Sequence, residues 1–107
     1  MSAPASDIEV VDATERSRFE ILVDGALAGF TEYQDRGDGL LSFPHTEIDP
    51  AYGGRGLGGT LVGRALAAVD ERGQQILPFC PFVLKYVQRH PDLVRLVPED
   101  RRERFGL

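Results

Sequence analysis

Three groups of residues in this 107-residue chain have types and spacing that can do chemistry. The first is a turn holding five glycines within seven residues, Gly53, Gly54, Gly56, Gly58 and Gly59, with Arg55 and Leu57 between them. Glycines this dense let backbone N–H groups approach a ligand closely, and a helix starting in the turn adds the positive end of its dipole. The chemistry this suits is binding of an anion, most often phosphate, although the same residues also suit a plain surface turn. The second group is His45 and Glu47, two apart and therefore on one face of a strand, a face that Phe43 would share. An imidazole or carboxylate so placed can act as a base; the bland alternatives are a histidine bonded to backbone and a solvated strand-end carboxylate. The third is Cys80, followed by Pro81. Proline favours the first position of a helix, so Cys80 is expected at the N-cap. A thiol there has its thiolate stabilised and its pKa lowered from the ordinary value of about 8.5.

The elements that must position these groups follow from the patterning. Ile8 to Asp12 reads as a short strand and Ala13 to Ser17 as a polar connection. Arg18 to Val23 alternates, with Phe19, Ile21 and Val23 on one face. Asp24-Gly25 signals a type I′ hairpin, and Leu27 to Gln34 is the return strand. A second turn, Arg36 to Gly39, leads to a strand over Leu40 to Ile48, which Asp49-Pro50 ends. Pro44 inside that strand requires a missing ladder bond nearby. From Gly56 to Arg72, Leu57, Leu61, Val62, Ala65, Leu66 and Val69 fall on one helical face, with Gly73 as the C-terminal cap. A short apolar strand, Gln75 to Phe79, is followed by a helix from Pro81 to Arg89 with Phe82, Val83, Tyr86 and Val87 inward. The expectation is an α/β (α+β) fold: a mixed, mostly antiparallel sheet with two flanking helices and a parallel crossover through the first. Residues 1–7 read as a flexible N-terminus, 8–97 as the domain and 98–107 as a polar, solvated tail.

Composition narrows the function classes. A net charge of −5 disfavours nucleic acid and anionic membranes and mildly favours a cationic small substrate. A single cysteine allows no internal disulfide and gives no support for a cysteine-rich metal site. No apolar run approaches the roughly 18 residues of a membrane span, and the first residues do not resemble a signal peptide, so the cytoplasm is the expected compartment.

The element order, with Gly56-Leu57-Gly58 after the fourth strand, resembles the GNAT acetyltransferase core and its acetyl-CoA pyrophosphate loop. His45-Thr46-Glu47 before the turn, Pro78-Phe79-Cys80-Pro81-Phe82-Val83 after it, and Arg89-His90-Pro91 resemble the small single-domain GNAT-like proteins. The resemblance covers roughly residues 8 to 97. Where the superfamily loop begins with Gln or Arg, three residues before the first motif glycine, this chain has Gly53. The longer enzymes also carry N-terminal helices that help form the acceptor site, and these are missing.

The resemblance implies acetyl-CoA or CoA bound by Gly53 to Gly59, with Arg55 available to a phosphate, and an unidentified amine, small molecule or protein, as acceptor. It implies that the fourth strand splays from the one ending near Cys80, with the thioester in the gap. Glu47 or His45 would be the base, and a strand amide beside them would polarise the thioester carbonyl. Three roles are open for Cys80: acyl-carrying nucleophile, proton donor to the leaving CoA sulfur, or packing residue. Tyr86 is either core or a proton donor to the leaving thiolate, and His90 interacts with the helix C-terminus. Lys85, the only lysine, is the conventional side-chain amine for any self-acylation. The activity implied is acyl-CoA-dependent N-acetyl transfer; the alternatives are a non-catalytic CoA or acyl-CoA module sensing through Cys80, and a protein-interaction domain whose loop binds no nucleotide.

Overall fold

The computed structural model describes residues 7–107, so the N-terminal segment expected to be flexible lies almost wholly outside the described residues. Asp7, where description begins, is fixed by exchange with Asp24: its N–H donates to the Asp24 carboxylate, and its C=O accepts from the Asp24 N–H.

Strands β1 (Ile8–Ala13), β2 (Arg18–Val23), β3 (Ala26–Asp35), β4 (Leu40–Ile48) and β5 (Gln75–Leu77) form one sheet in sequence order. The first three pairings are antiparallel and β4–β5 is parallel, as the pattern predicts. The β2–β3 hairpin turns on Asp24 and Gly25, both at positive φ (50° and 83°), which is the type I′ geometry matched to strand twist. Helix α1 (Leu57–Glu71) carries the chain from β4 to β5, and α2 (Pro81–Arg89) follows β5.

The core lies between α1 and the sheet face that bears Phe19, Ile21, Val23 and Phe43. All six apolar residues expected on the α1 face are buried, and each such Leu or Val contributes roughly 1.5–3 kcal/mol. Phe19, Tyr33 and Phe43 form an aromatic cluster beneath the helix's C-terminal end, where Arg72 lies over the Phe19 ring.

Three expectations are corrected. Strand β5 stops at Leu77, because Pro78 has no N–H to continue a ladder and the Phe79 N–H turns back to the Leu77 carbonyl. On α2, Val83 and Val87 are inward, but Phe82 is 44% exposed and lies over the backbone of Gly58 on α1. The last ten residues are not a solvated tail. They form two short 3-10 turns that bury Phe105, whose ring meets Phe79 edge-on at 5.3 Å. An isolated phenylalanine among charges gives no periodic signal, which is why the pattern reads as solvent-facing.

Candidate functional site

The site begins at Pro44. On β3 the register advances from Glu32 to Gln34, two positions, while on β4 it goes from His45 back to Ser42, three positions. Phe43 and Pro44 therefore form a bulge, which absorbs the donor that proline lacks. The extra residue reverses the alternation. His45 and Glu47 share a face, as expected, but it is the face opposite Phe43, which is buried in the core. The two side chains are 53% and 61% exposed, with Nε2 and Oε2 3.8 Å apart. The His45 ring lies 6.0 Å from Phe30, which in turn sits under the Arg18 guanidinium.

The bulge also parts the sheet. Parallel pairing of β4 and β5 ends at Ser42–Leu77, and the last link is the Cys80 N–H to the Phe43 carbonyl, 2.7 Å. From His45 to Ile48, β4 pairs only with β3 among the described residues. The Asp49 N–H donates to the Ala28 carbonyl on β3. In an antiparallel ladder alternate residues point the same way, so Glu47 and His45 also face β3. The N–H groups of Thr46 and Ile48 face the open edge.

Thr46 is where the two halves of the site meet. Its hydroxyl lies 2.8 Å from the hydroxyl of Thr31, which is fully buried, and it accepts a hydrogen bond from the Cys80 thiol at 3.4 Å. Cys80 is the N-cap of α2, as expected, but at 4% exposure it is a buried thiol, directed into the Thr46–Thr31 pair. The sequence reading named Thr46 only as part of a motif and missed Thr31. The available signal was the pairing of two threonines across a non-hydrogen-bonded position, where side chains come closest.

At the far end of β4, a single 3-10 turn (Pro50–Tyr52) leads into the glycine run. Gly54 and Gly56 take left-handed φ values of 77° and 71°, which L side chains rarely adopt. Gly56 is the N-cap of α1, and no side chain among the described residues caps it. The first-turn amides of Leu57, Gly58 and Gly59 are the donors that helix geometry leaves without an internal partner. The glycines are not equivalent. Gly59 has open space where a Cβ would stand, whereas Gly58 is covered by Phe82. Gly53 is in extended backbone, and Arg55 leans over the Tyr52 ring at 5.4 Å.

Gly56 and Gly59 form one wall of a groove of about 360 Å³ whose other wall is α2: Phe82, Lys85, Tyr86, Arg89 and His90. Lys85 and Arg89 were not expected as part of this site; their i, i+4 spacing and flanking of Tyr86 were the signals. The Tyr86 hydroxyl is directed at α1, filling the place where a Cβ on Gly63 would stand. Its ring stacks on His90 at 4.1 Å, and the His90 Nδ1 lies 2.8 Å from the Tyr86 carbonyl oxygen. Among the described residues there is no cluster of three metal-ligating side chains and no helix long and apolar enough to cross a membrane.

This arrangement can hold an anion at the start of α1, an extended chain along the open edge of β4, and a reacting carbonyl near the Thr46 amide. A family model described as GCN5-related N-acetyl-transferase matches residues 18–96, from the start of β2 through α2 and beyond. No curated protein matches the chain.

Proposed function

The chain belongs to the GCN5-related N-acetyltransferase family, whose domain carries acyl transfer, and on that premise we propose that it moves the acetyl group of acetyl-CoA to an amine. The observation that carries this reading is the coincidence, along one strand, of an open edge at Thr46 and a helix start with free amides at Leu57 to Gly59. The pyrophosphate sits on those amides, and the pantetheine arm runs along the edge that β5 leaves unpaired. The Thr46 N–H then donates to the thioester carbonyl oxygen, where negative charge develops as an amine attacks. The new C–N bond forms and the C–S bond breaks. The amine's proton passes to Glu47 or His45, and the CoA sulfur leaves as thiolate or takes a proton. Because His45 and Glu47 face away from the core, the acceptor approaches from that face while the donor lies along the edge.

Cys80 suits proton delivery toward the sulfur better than it suits an exposed acyl carrier, since its thiol is buried and already engaged with Thr46. The test is calorimetric titration with acetyl-CoA and CoA, followed by mass spectrometry after incubation with acetyl-CoA, with and without Cys80→Ala. Binding, then turnover on an amine panel that drops about 10²–10⁴-fold in Glu47→Gln or His45→Gln, supports transfer with a general base. A labile adduct lost in Cys80→Ala would replace direct attack with a two-step route. Binding without turnover on any amine would favour a CoA-binding module, a reading supported by the exposure of His45 and Glu47. Absence of binding would leave the glycine turn without a ligand.

A further inference from the structure

The groove between the glycine turn and α2 is cationic in an otherwise acidic protein. Five arginines elsewhere (Arg16, Arg18, Arg72, Arg95 and Arg101) pair with carboxylates. Lys85 and Arg89 are exposed, and no carboxylate among the described residues lies within ion-pairing distance of either. They stand one turn apart on the same face of α2, and both line the groove opposite Gly56 and Gly59. The groove thus offers two anion sites of different kinds. One is the ring of free amides at the start of α1, suited to a diphosphate. The other is a pair of exposed cations across the groove, suited to a compact, doubly charged phosphomonoester.

Resting on the CoA reading above, we propose that Lys85 and Arg89 bind the ribose 3′-phosphate of the donor, so that the protein selects CoA over 3′-dephospho-CoA. CoA carries both kinds of anion on one molecule. Dephospho-CoA keeps the pyrophosphate and the pantetheine arm but lacks the group that α2 is built to meet. Each charge-assisted contact to phosphate is stronger than a neutral hydrogen bond, and their loss should appear as an affinity ratio that shrinks with added salt.

The experiment titrates the whole chain with CoA and with 3′-dephospho-CoA at low and moderate salt. It then repeats both titrations with Lys85→Met, Arg89→Met and the double variant, whose exposed positions leave the core untouched; circular dichroism and a thermal melt verify folding. The expected result is CoA binding at least about tenfold tighter than dephospho-CoA, a ratio that collapses toward one in the double variant while dephospho-CoA affinity is unchanged. Equal affinities in the unaltered protein, or a ratio that survives in the double variant, would overturn the inference and leave the CoA reading standing. Failure of either ligand to bind the unaltered protein would overturn that reading itself and the inference with it.

Discussion

At the scale of single residues, Thr46 does more than the groups that first draw attention. Its amide faces the open edge of β4, while its hydroxyl accepts from Cys80 and contacts Thr31. A buried hydroxyl deprived of its partner loses stability, by about 1–3 kcal/mol. Thr46→Val removes the partner of Thr31 and of Cys80 while keeping the shape. A drop of that size in urea unfolding is expected, with most of it restored in Thr46→Ser. An unchanged midpoint in Thr46→Val would mean that the three side chains do not act as a chain.

At the scale of elements, the glycines divide by what surrounds them. Gly29 on β3 faces Ile48 across the strand pair, and a Cβ there would stand 2.5 Å from the Glu47 carbonyl oxygen and from Ile48 Cδ1. Backbone cannot step aside as a side chain can, so Gly29→Ala should force β3 and β4 apart and cost about 1–3 kcal/mol. Gly59 sits in the first turn of α1 with nothing within 4 Å of the added atom. Gly59→Ala should be neutral or stabilise by up to about 1 kcal/mol, and Gly59→Leu should stay folded yet block the groove to CoA. Thermal melts and CoA titrations of the three variants check both halves. Gly58, the second glycine of the motif, serves the contact between helices: an added Cβ would meet the Phe82 ring. Valine there would therefore report on packing as well as on binding, which makes Gly59 the cleaner probe.

At the scale of the molecule, the sheet and α1 are tied by Asp12, which accepts from Tyr33 at 2.7 Å and from Arg72 at 2.8 Å. Burial, followed by the bond and charge of Asp12, pushes the Tyr33 phenol up to about 12 from its ordinary 10. A phenol that holds its proton more tightly when folded stabilises the protein fully below the unfolded value. That stability is lost as pH rises from about 10 toward 12. The loss is at most about 3 kcal/mol, two tenfold changes in proton affinity at about 1.4 each, and smaller to the extent that solvent screens the partly exposed phenol. Alkaline unfolding should thus steepen in that window, and Tyr33→Phe should flatten it at a cost in stability at neutral pH. If the two proteins share one alkaline profile, the Asp12–Tyr33 bond carries no linkage.

The sequence determined the periodic part of this protein. The six apolar positions of α1, the type I′ turn at Asp24-Gly25, the limits of β4 and α2, and the glycine-capped start of α1 are all local choices. Backbone conformation and side-chain spacing along a single element suffice to fix each of them. The length of the connection through α1 added the parallel return of β5, and the resemblance added the reading of the glycine turn as a CoA loop. What only the tertiary structure decided depends on pairs of elements. Pro44 announced an irregularity, but which face His45 and Glu47 present was set by how β3 absorbs the extra residue, and a one-residue slip exchanges the faces. The burial of Cys80 depends on Thr46 and Thr31 arriving from two other strands. The cationic wall of the groove exists because small residues at Gly58 and Gly63 admit Phe82 and Tyr86, bringing Lys85 and Arg89 opposite the first turn of α1. Such contacts join residues far apart in the chain, and no local pattern encodes the distance between them.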